Sequence, residues 1–396
     1  MKKQTKRAIF VLLISEFLIC LGISLVIPVM PFLKTSLHLT AFDMGVMTSL
    51  FALVQFIASP IVGRISDKLG RKNILVAGLF LYMLSEILFA ITNNLVMFDI
   101  SRAVGGLSAA MYVPTSMALA ADITTKRERA KVIGWLSAAF SAGLILGPGI
   151  GGILANISLK SPFWLSALLG LLGTISLWMF LPNDGKMDSH EDSARVEEHK
   201  PVSVFLKTMS VPMIVLFAMI LVSAFGLQGF ESIYSLYVNE VFKFTMSNIA
   251  LVLTLNGVIS IIMQVVFFDR LVVWLKEARI IRYCFFLSII GIAWIILAHS
   301  KWEVVIATLI VFTAYDILRP AITTLLTKMS TSDQGLINGM NMSLTSVGNV
   351  IGPLISGALL DMNYHLPYLV VIVFMMLSFI IAFFIKNVSS GEVKVD

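Results

Sequence analysis

Charge is what this sequence has least of. Of its 396 residues only 13% are Asp, Glu, Lys or Arg, about half the roughly 25% of a soluble domain. Water is therefore not the main solvent of the folded chain. Cysteine is nearly absent too. Cys20 and Cys284 both lie in apolar runs, which excludes a disulfide framework. No phosphate-binding G-x-x-x-x-G-K-[ST] loop occurs, so nucleotide hydrolysis is not the implied fuel. The five histidines are scattered, with no paired nucleophile. No residue set reads as catalytic and none as a metal site, so an enzyme is not expected. One long polar stretch, residues 182–207, is too short for a soluble sensor domain and reads as a solvated linker.

What the chain does have is apolar length. Hydrophobic residues make up 58% of it, and its mean hydropathy is +0.93. A helix needs about 20 such residues to cross a hydrocarbon core ~30 Å thick. Twelve runs qualify: 8–32, 42–63, 73–92, 95–120, 131–155, 161–181, 211–237, 247–268, 280–299, 302–326, 335–360 and 367–386. With both termini placed inside, 23 Lys and Arg fall on the inner side and 4 on the outer, with Arg102 and Arg319 within spans. The positive-inside rule then puts both termini in the cytoplasm. The same asymmetry explains the net charge of +6 without nucleic acid. The linker divides the spans six and six, giving bundles over 1–181 and 208–396.

The halves repeat each other. Gly143-x-x-x-Gly147-Pro148-x-x-x-Gly152 returns 205 positions later as Gly348-x-x-x-Gly352-Pro353-x-x-x-Gly357. Two similar six-helix halves imply a pseudo-twofold pair with a site at their interface.

Four groups of residues carry chemistry. The loop after span 2 reads Gly63-x-x-x-Asp67-x-x-Gly70-Arg71-Lys72. The two glycines would permit a tight turn, and Asp67 could accept charge-assisted bonds from a nearby arginine as a conformational latch. The second half keeps a worn version, Asp269-Arg270 with Lys276. Span 4 carries Arg102, and a charge inside the bilayer is costly and faces protein or water. Span 5 carries Gly143, Gly147, Pro148, Gly151 and Gly152, small residues that let helices approach closely and a proline that permits a kink. The fourth group is intramembrane acid: Glu231, Asp316, Glu16 and Glu86. Burial raises a carboxyl pKa, so such an acid can load a proton outside and release it inside. Asp316 and Arg319 are three apart and can meet on one helix face, as can Gln228, Glu231 and Ser235. Phe225, Phe230, Tyr234, Phe312 and Tyr315 lie near the acids and could form an apolar wall whose ring faces attract cations.

The G-x-x-x-D-x-x-G-R-K loop resembles the cytoplasmic signature of the major facilitator superfamily. The span-5 run, Leu146-Gly-Pro-Gly-Ile-Gly-Gly152, resembles the antiporter motif of its exporters. Leu25-Val-Ile-Pro28-Val, Tyr234-Ser-Leu-Tyr237, Phe267-Phe-Asp269-Arg270 and Arg319-Pro-Ala-Ile-Thr323 make the chain similar to its twelve-helix drug:proton antiporters of the NorA/Bmr type. The resemblance implies an all-α major facilitator fold of twelve transmembrane helices in two pseudo-symmetric bundles. It also implies a bacterial inner-membrane location and proton-coupled export of amphipathic, often cationic, drug-like molecules by alternating access. It makes Glu231 and Asp316 the proton-coupling pair, with Arg102 and Arg319 tuning them. Gln55, Gln228, Glu231, Phe230, Tyr234, Phe312 and Tyr315 are the expected substrate contacts, with Glu16 added as an acid that other exporters of the superfamily place in span 1. No cofactor is expected beyond the proton gradient, no partner beyond substrate, protons and membrane lipid, and the expected state is a monomer. The alternative, proton-coupled uptake of a sugar or metabolite, is disfavoured by the span-5 motif.

Overall fold

The computed structural model describes residues 3–182, 210–329 and 334–384. Most of the expected linker, including His190 and His199, lies outside the described residues, as do the tail lysines 386 and 394. Among the described residues there are helices and no strands. They are α1 (Lys3–Leu25), α2 (Met30–Ser36), α3 (Ala41–Leu69), α4 (Arg71–Ile91), α5 (Leu95–Asp122), α6 (Lys126–Ala155), α7 (Ser161–Phe180), α8 (Val211–Phe242), α9 (Met246–Ile262), α10 (Phe268–Leu275), α11 (Glu277–Leu297), α12 (Lys301–Met329), α13 (Gln334–Met362) and α14 (Leu366–Ala382). Among the described residues, eleven helical segments are long and apolar enough to cross a membrane, and α14 is a shorter apolar helix of 17 residues.

The boundaries follow local chemistry. Helix α3 starts at a reciprocal cap. The Thr40 hydroxyl accepts from the Asp43 N–H at 3.0 Å, and the Asp43 carboxylate accepts from the Thr40 N–H at 2.8 Å. Asn94 caps α5 by accepting from the Val96 N–H at 2.9 Å. The first span does not close at Pro28 and Pro31. A short 3-10 turn, Ile27–Val29, absorbs the missing N–H groups, and the chain continues helically to Ser36. The eighth span also exceeds its expected 247–268. A π-helical turn, Met263–Phe267, joins α9 to α10, and the run reaches Leu275.

The chain forms two compact units, and they differ from the halves read from sequence. The first combines the described residues up to 182 with Val238–Gly257, and the second holds the rest. The C-terminal end of α8 and the start of α9 join the first unit through specific contacts. Lys34 of α2 is ion-paired with Glu240 of α8. A Cβ on Gly152 of α6 would stand 2.6 Å from the Ala250 Cβ, and one on Gly149 would stand 3.3 Å from Thr254 Oγ1.

In the first unit α1 packs on α6 and α7, and α5 packs on α3 and α4. Leu12, Leu79, Tyr82, Tyr112 and Leu136 fill its core and are at most 2% exposed. In the second unit α11 packs on α12 and α14.

The repeated glycines do the same work in each unit. A Cβ on Gly143 would stand 2.7 Å from the Leu21 nitrogen of α1. Cβ atoms on Gly147 and Gly151 would overlap the Ser24 hydroxyl and the Leu25 carbonyl. In the second unit, Gly348 of α13 faces Ala224 and Phe225 of α8 at 2.6 and 2.7 Å. Gly352 faces the Gly229 nitrogen at 2.9 Å. Two backbones thus touch along each seam, as small residues four apart allow.

Candidate functional site

The α8–α13 seam sets the position of Glu231, two residues beyond Gly229. Glu231 is half-buried. It lies close enough to Asp316 of α12 for the charge of one to act on the other. Asp316 is half-buried as well, and the Ser260 hydroxyl faces its carboxylate. Ser260 in turn accepts from the Gln264 amide at 2.9 Å. The π-turn that carries Gln264 is thus tied through one hydroxyl to the second acid. Two carboxyl groups that feel each other titrate as a pair. Gln228, one turn before Glu231, is half-buried. Ser235 is buried, its hydroxyl without a partner.

The geometry departs from the sequence reading at Arg319. It is exposed, and no side-chain ion pair forms between it and Asp316 among the described residues. A spacing of three allows contact on a helix without requiring it. The aromatic residues also differ from an open wall. Phe230, Tyr234, Phe312 and Tyr315 are at most 3% exposed. The Phe230 ring meets Phe312 edge-on at 5.2 Å and Tyr368 at 5.5 Å, and Tyr234 meets Phe312 at 5.8 Å. These rings pack α8, α12 and α14 together.

In the first unit, Arg102 has a partner of its own. It donates to the Glu86 carboxylate of α4 at 2.9 Å, with the two side chains 12% and 3% exposed. Its guanidinium stands 4.6 Å from the Phe89 ring centre. Phe89 is stacked between Phe98 and Phe163 at 4.2 and 4.3 Å. Lys160 closes the same aromatic stack, donating to the Phe89 and Thr92 carbonyls at 3.0 and 2.5 Å. Burial lowers its amine below the ordinary lysine pKa. Glu86, one of the intramembrane acids, is therefore the counter-charge of the span-4 arginine. An acid and an arginine in consecutive spans were the signal for it.

Glu16 is fully buried in α1. Ser116 of α5 lies 3.2 Å from one carboxyl oxygen, and the other has no partner. Gln55 is half-buried on α3.

The loop motif divides. Gly63 lies within α3 with open space around it, so it does not form the turn. Gly70 does, at φ 91°. Arg71 meets Asp67 at 2.6 Å, Asp122 of α5 at 3.1 Å and the Ser66 hydroxyl at 2.7 Å.

The family model described as Major Facilitator Superfamily matches residues 12–331 and again 277–395. The chain is 41% identical over 359 residues to Multidrug resistance protein 1 of Bacillus subtilis (strain 168), covering 90% of this chain and 91% of that one. It is 37% identical over 361 residues to Quinolone resistance protein NorA of Staphylococcus aureus, covering 91% and 92%. Among solved structures it resembles the nucleoside transporter NupG, with a TM-score of 0.74 at 12% identity and coverage of 96% and 100%. It also resembles a bacterial homologue of the human lysosomal transporter Spinster, with a TM-score of 0.77 at 14% identity and coverage of 97% of each chain. A model match along most of the sequence, and relatives more than a third identical over about nine-tenths of it, establish that this chain belongs to the Major Facilitator Superfamily.

Proposed function

We propose that this multi-pass membrane protein exports hydrophobic, often cationic, drug-like molecules in exchange for protons by alternating access. Both termini would lie in the cytoplasm of a bacterial cell, and the working unit is a single chain. The carrying observation is the placement of Glu231 and Asp316, two half-buried acids within electrostatic reach of each other on α8 and α12. Relatives named for multidrug and quinolone resistance support the substrate class. Competition between a proton and a cationic drug for this pair couples the two fluxes. Gln228 and Gln55 supply adaptable polar contacts. Arg102, paired with Glu86, tunes proton handling together with Arg319. Asp67 and Arg71 hold the loop that latches one conformation.

No cofactor is required. Moving one charge across 100 mV is worth about 2.3 kcal/mol, and one pH unit about 1.4 kcal/mol. Together one proton supports roughly a 500-fold gradient of a neutral drug. A one-for-one exchange with a monovalent cation moves no net charge and draws on the pH term alone.

Everted vesicles with an imposed pH gradient test the reading. Energised vesicles accumulate a fluorescent lipophilic cation and lose it on uncoupling. Glu231→Gln abolishes uphill accumulation, and Asp316→Asn removes the drug-induced proton signal. Unchanged accumulation in Glu231→Gln vesicles excludes it from the mechanism.

A further inference from the structure

A groove beside the π-turn has no part in the site above. It holds about 590 Å³, and its walls, Met263, Leu271, Leu275, Tyr283, Ile306 and Ile310 among them, are almost wholly apolar. Tyr283 and Ile306 are 52% and 48% exposed, so the groove is open rather than sealed core. The wide turn Met263–Phe267 forms part of its rim, between α9 and α10.

Charge gathers at one end. Leu271 also borders a neighbouring dent that contains Asp269, Arg270 and Trp274. Lys276 and Arg279 adjoin the wall residues Leu275 and Ile280. All three cations are exposed, and none forms an ion pair among the described residues. The nearby carboxylate of Glu277 is taken by Lys328. Asp269 offsets one charge and leaves this end net positive. Trp274 is 83% exposed, the placement of an indole at a membrane–water boundary. An apolar trough ending in unpaired cations and an interfacial tryptophan has the two-part chemistry of one class of ligand. A cationic drug would be repelled at the charged end, and a zwitterionic headgroup would gain less there.

We propose that this groove binds an anionic phospholipid, with an acyl chain along the apolar walls and the phosphate at Arg270, Lys276 and Arg279. The inference is independent of drug export. It bears on the transport site through α12, where the wall residues Ala314 and Ile317 flank Asp316, and through the π-turn, whose Gln264 is bonded to Ser260.

Native mass spectrometry of the purified full chain tests it. The probe is an equimolar mixture of phosphatidylglycerol and phosphatidylcholine with identical acyl chains. Each cation near the headgroup is worth about fivefold, so phosphatidylglycerol adducts exceed phosphatidylcholine adducts by at least about tenfold. The R270Q/K276Q/R279Q variant brings the ratio near one, whereas R64Q/K68Q leaves it unchanged. Ile306→Trp, which narrows the groove, lowers retention of both lipids. Glycerol phosphate, a headgroup without chains, does not displace the lipid. Equal retention of the two lipids by the unmodified chain overturns the proposal without any variant. So does a preference that survives the triple substitution, or full displacement by glycerol phosphate.

Discussion

Lys276 holds in the second half the place that Gly70 holds in the first, 206 positions earlier. Each is the single residue between two helices, and each has positive φ, 61° for Lys276 and 91° for Gly70. The helices they join carry a matching device with its signs reversed. Arg71, first residue of α4, bonds Asp122 at the end of α5. Glu277, first residue of α11, bonds Lys328 near the end of α12. Both pairs span 51 positions. The same inter-helix clamp thus occurs in both halves with the charge of each partner reversed.

Reversal gives a direct test of the clamp. Glu277 is only 6% exposed while Lys328 is 46% exposed, so the pair is half-desolvated and costs less to break than a fully buried one. Glu277→Lys and Lys328→Glu should each lower the thermal midpoint of the detergent-purified protein. The E277K/K328E double variant should recover most of the loss, with a coupling of about 1–2 kcal/mol. Additive losses in the double variant would show that the two side chains do not act on each other.

The turn itself predicts an asymmetry. Lys276 has φ 61° and ψ 155°, a region that is nearly glycine's alone and costs a side chain about 1–3 kcal/mol. Lys276→Gly should therefore stabilise the second unit by about 1 kcal/mol, less the entropy that glycine adds to the unfolded chain. Gly70→Ala should destabilise the first unit by a similar amount. Thermal unfolding of the two variants beside the parent decides it, and a fall in stability for Lys276→Gly would refute the strain.

Much of this was legible in the sequence, for physical reasons. The twelve apolar runs, the repeated glycines and the acids Glu231 and Asp316 are local patterns with strong constraints behind them. What escaped depends on which neighbour a side chain meets. Arg319 lies three residues from Asp316 yet stands exposed, while Ser260, from another helix, faces the acid. The rings of Phe230, Tyr234 and Phe312 share helices with the acids but turn into the bundle core. The reversed clamp is invisible to a search for the same letters, because what is kept is a pairing and not an identity.

The Arg102–Glu86 pair should behave as one unit. Arg102→Gln leaves a carboxylate uncompensated in a site where its side chain is 3% exposed, and breaking a buried pair costs about 3–5 kcal/mol. R102Q should express poorly, whereas E86Q/R102Q, neutral on both sides, should regain much of the folded yield. If vesicles of the double variant also accumulate dye, Arg102 serves packing. If they fold yet fail to accumulate it, the charge serves transport.

The seam between α1 and α6 separates glycines needed for space from glycines that are not. A Cβ at Gly151 would overlap the Leu25 backbone carbonyl, and backbone cannot swing aside as a long side chain can. Gly151→Ala must therefore push the two helices apart, at a cost typical of overpacking, about 1–3 kcal/mol. The change also falls on the contact that brings α6 to α1, so export should suffer even in molecules that fold. Gly134, on the same helix, has nothing within 4 Å of an added Cβ. There Gly134→Ala removes a poor helix former at no steric cost and should be neutral or stabilising by up to about 1 kcal/mol. The two variants differ by the same methyl group on one helix, so propensity alone predicts equal gains and packing predicts opposite signs. Thermal unfolding and vesicle efflux measured on both would decide between them, and equal behaviour would mean that α1 and α6 are not in backbone contact.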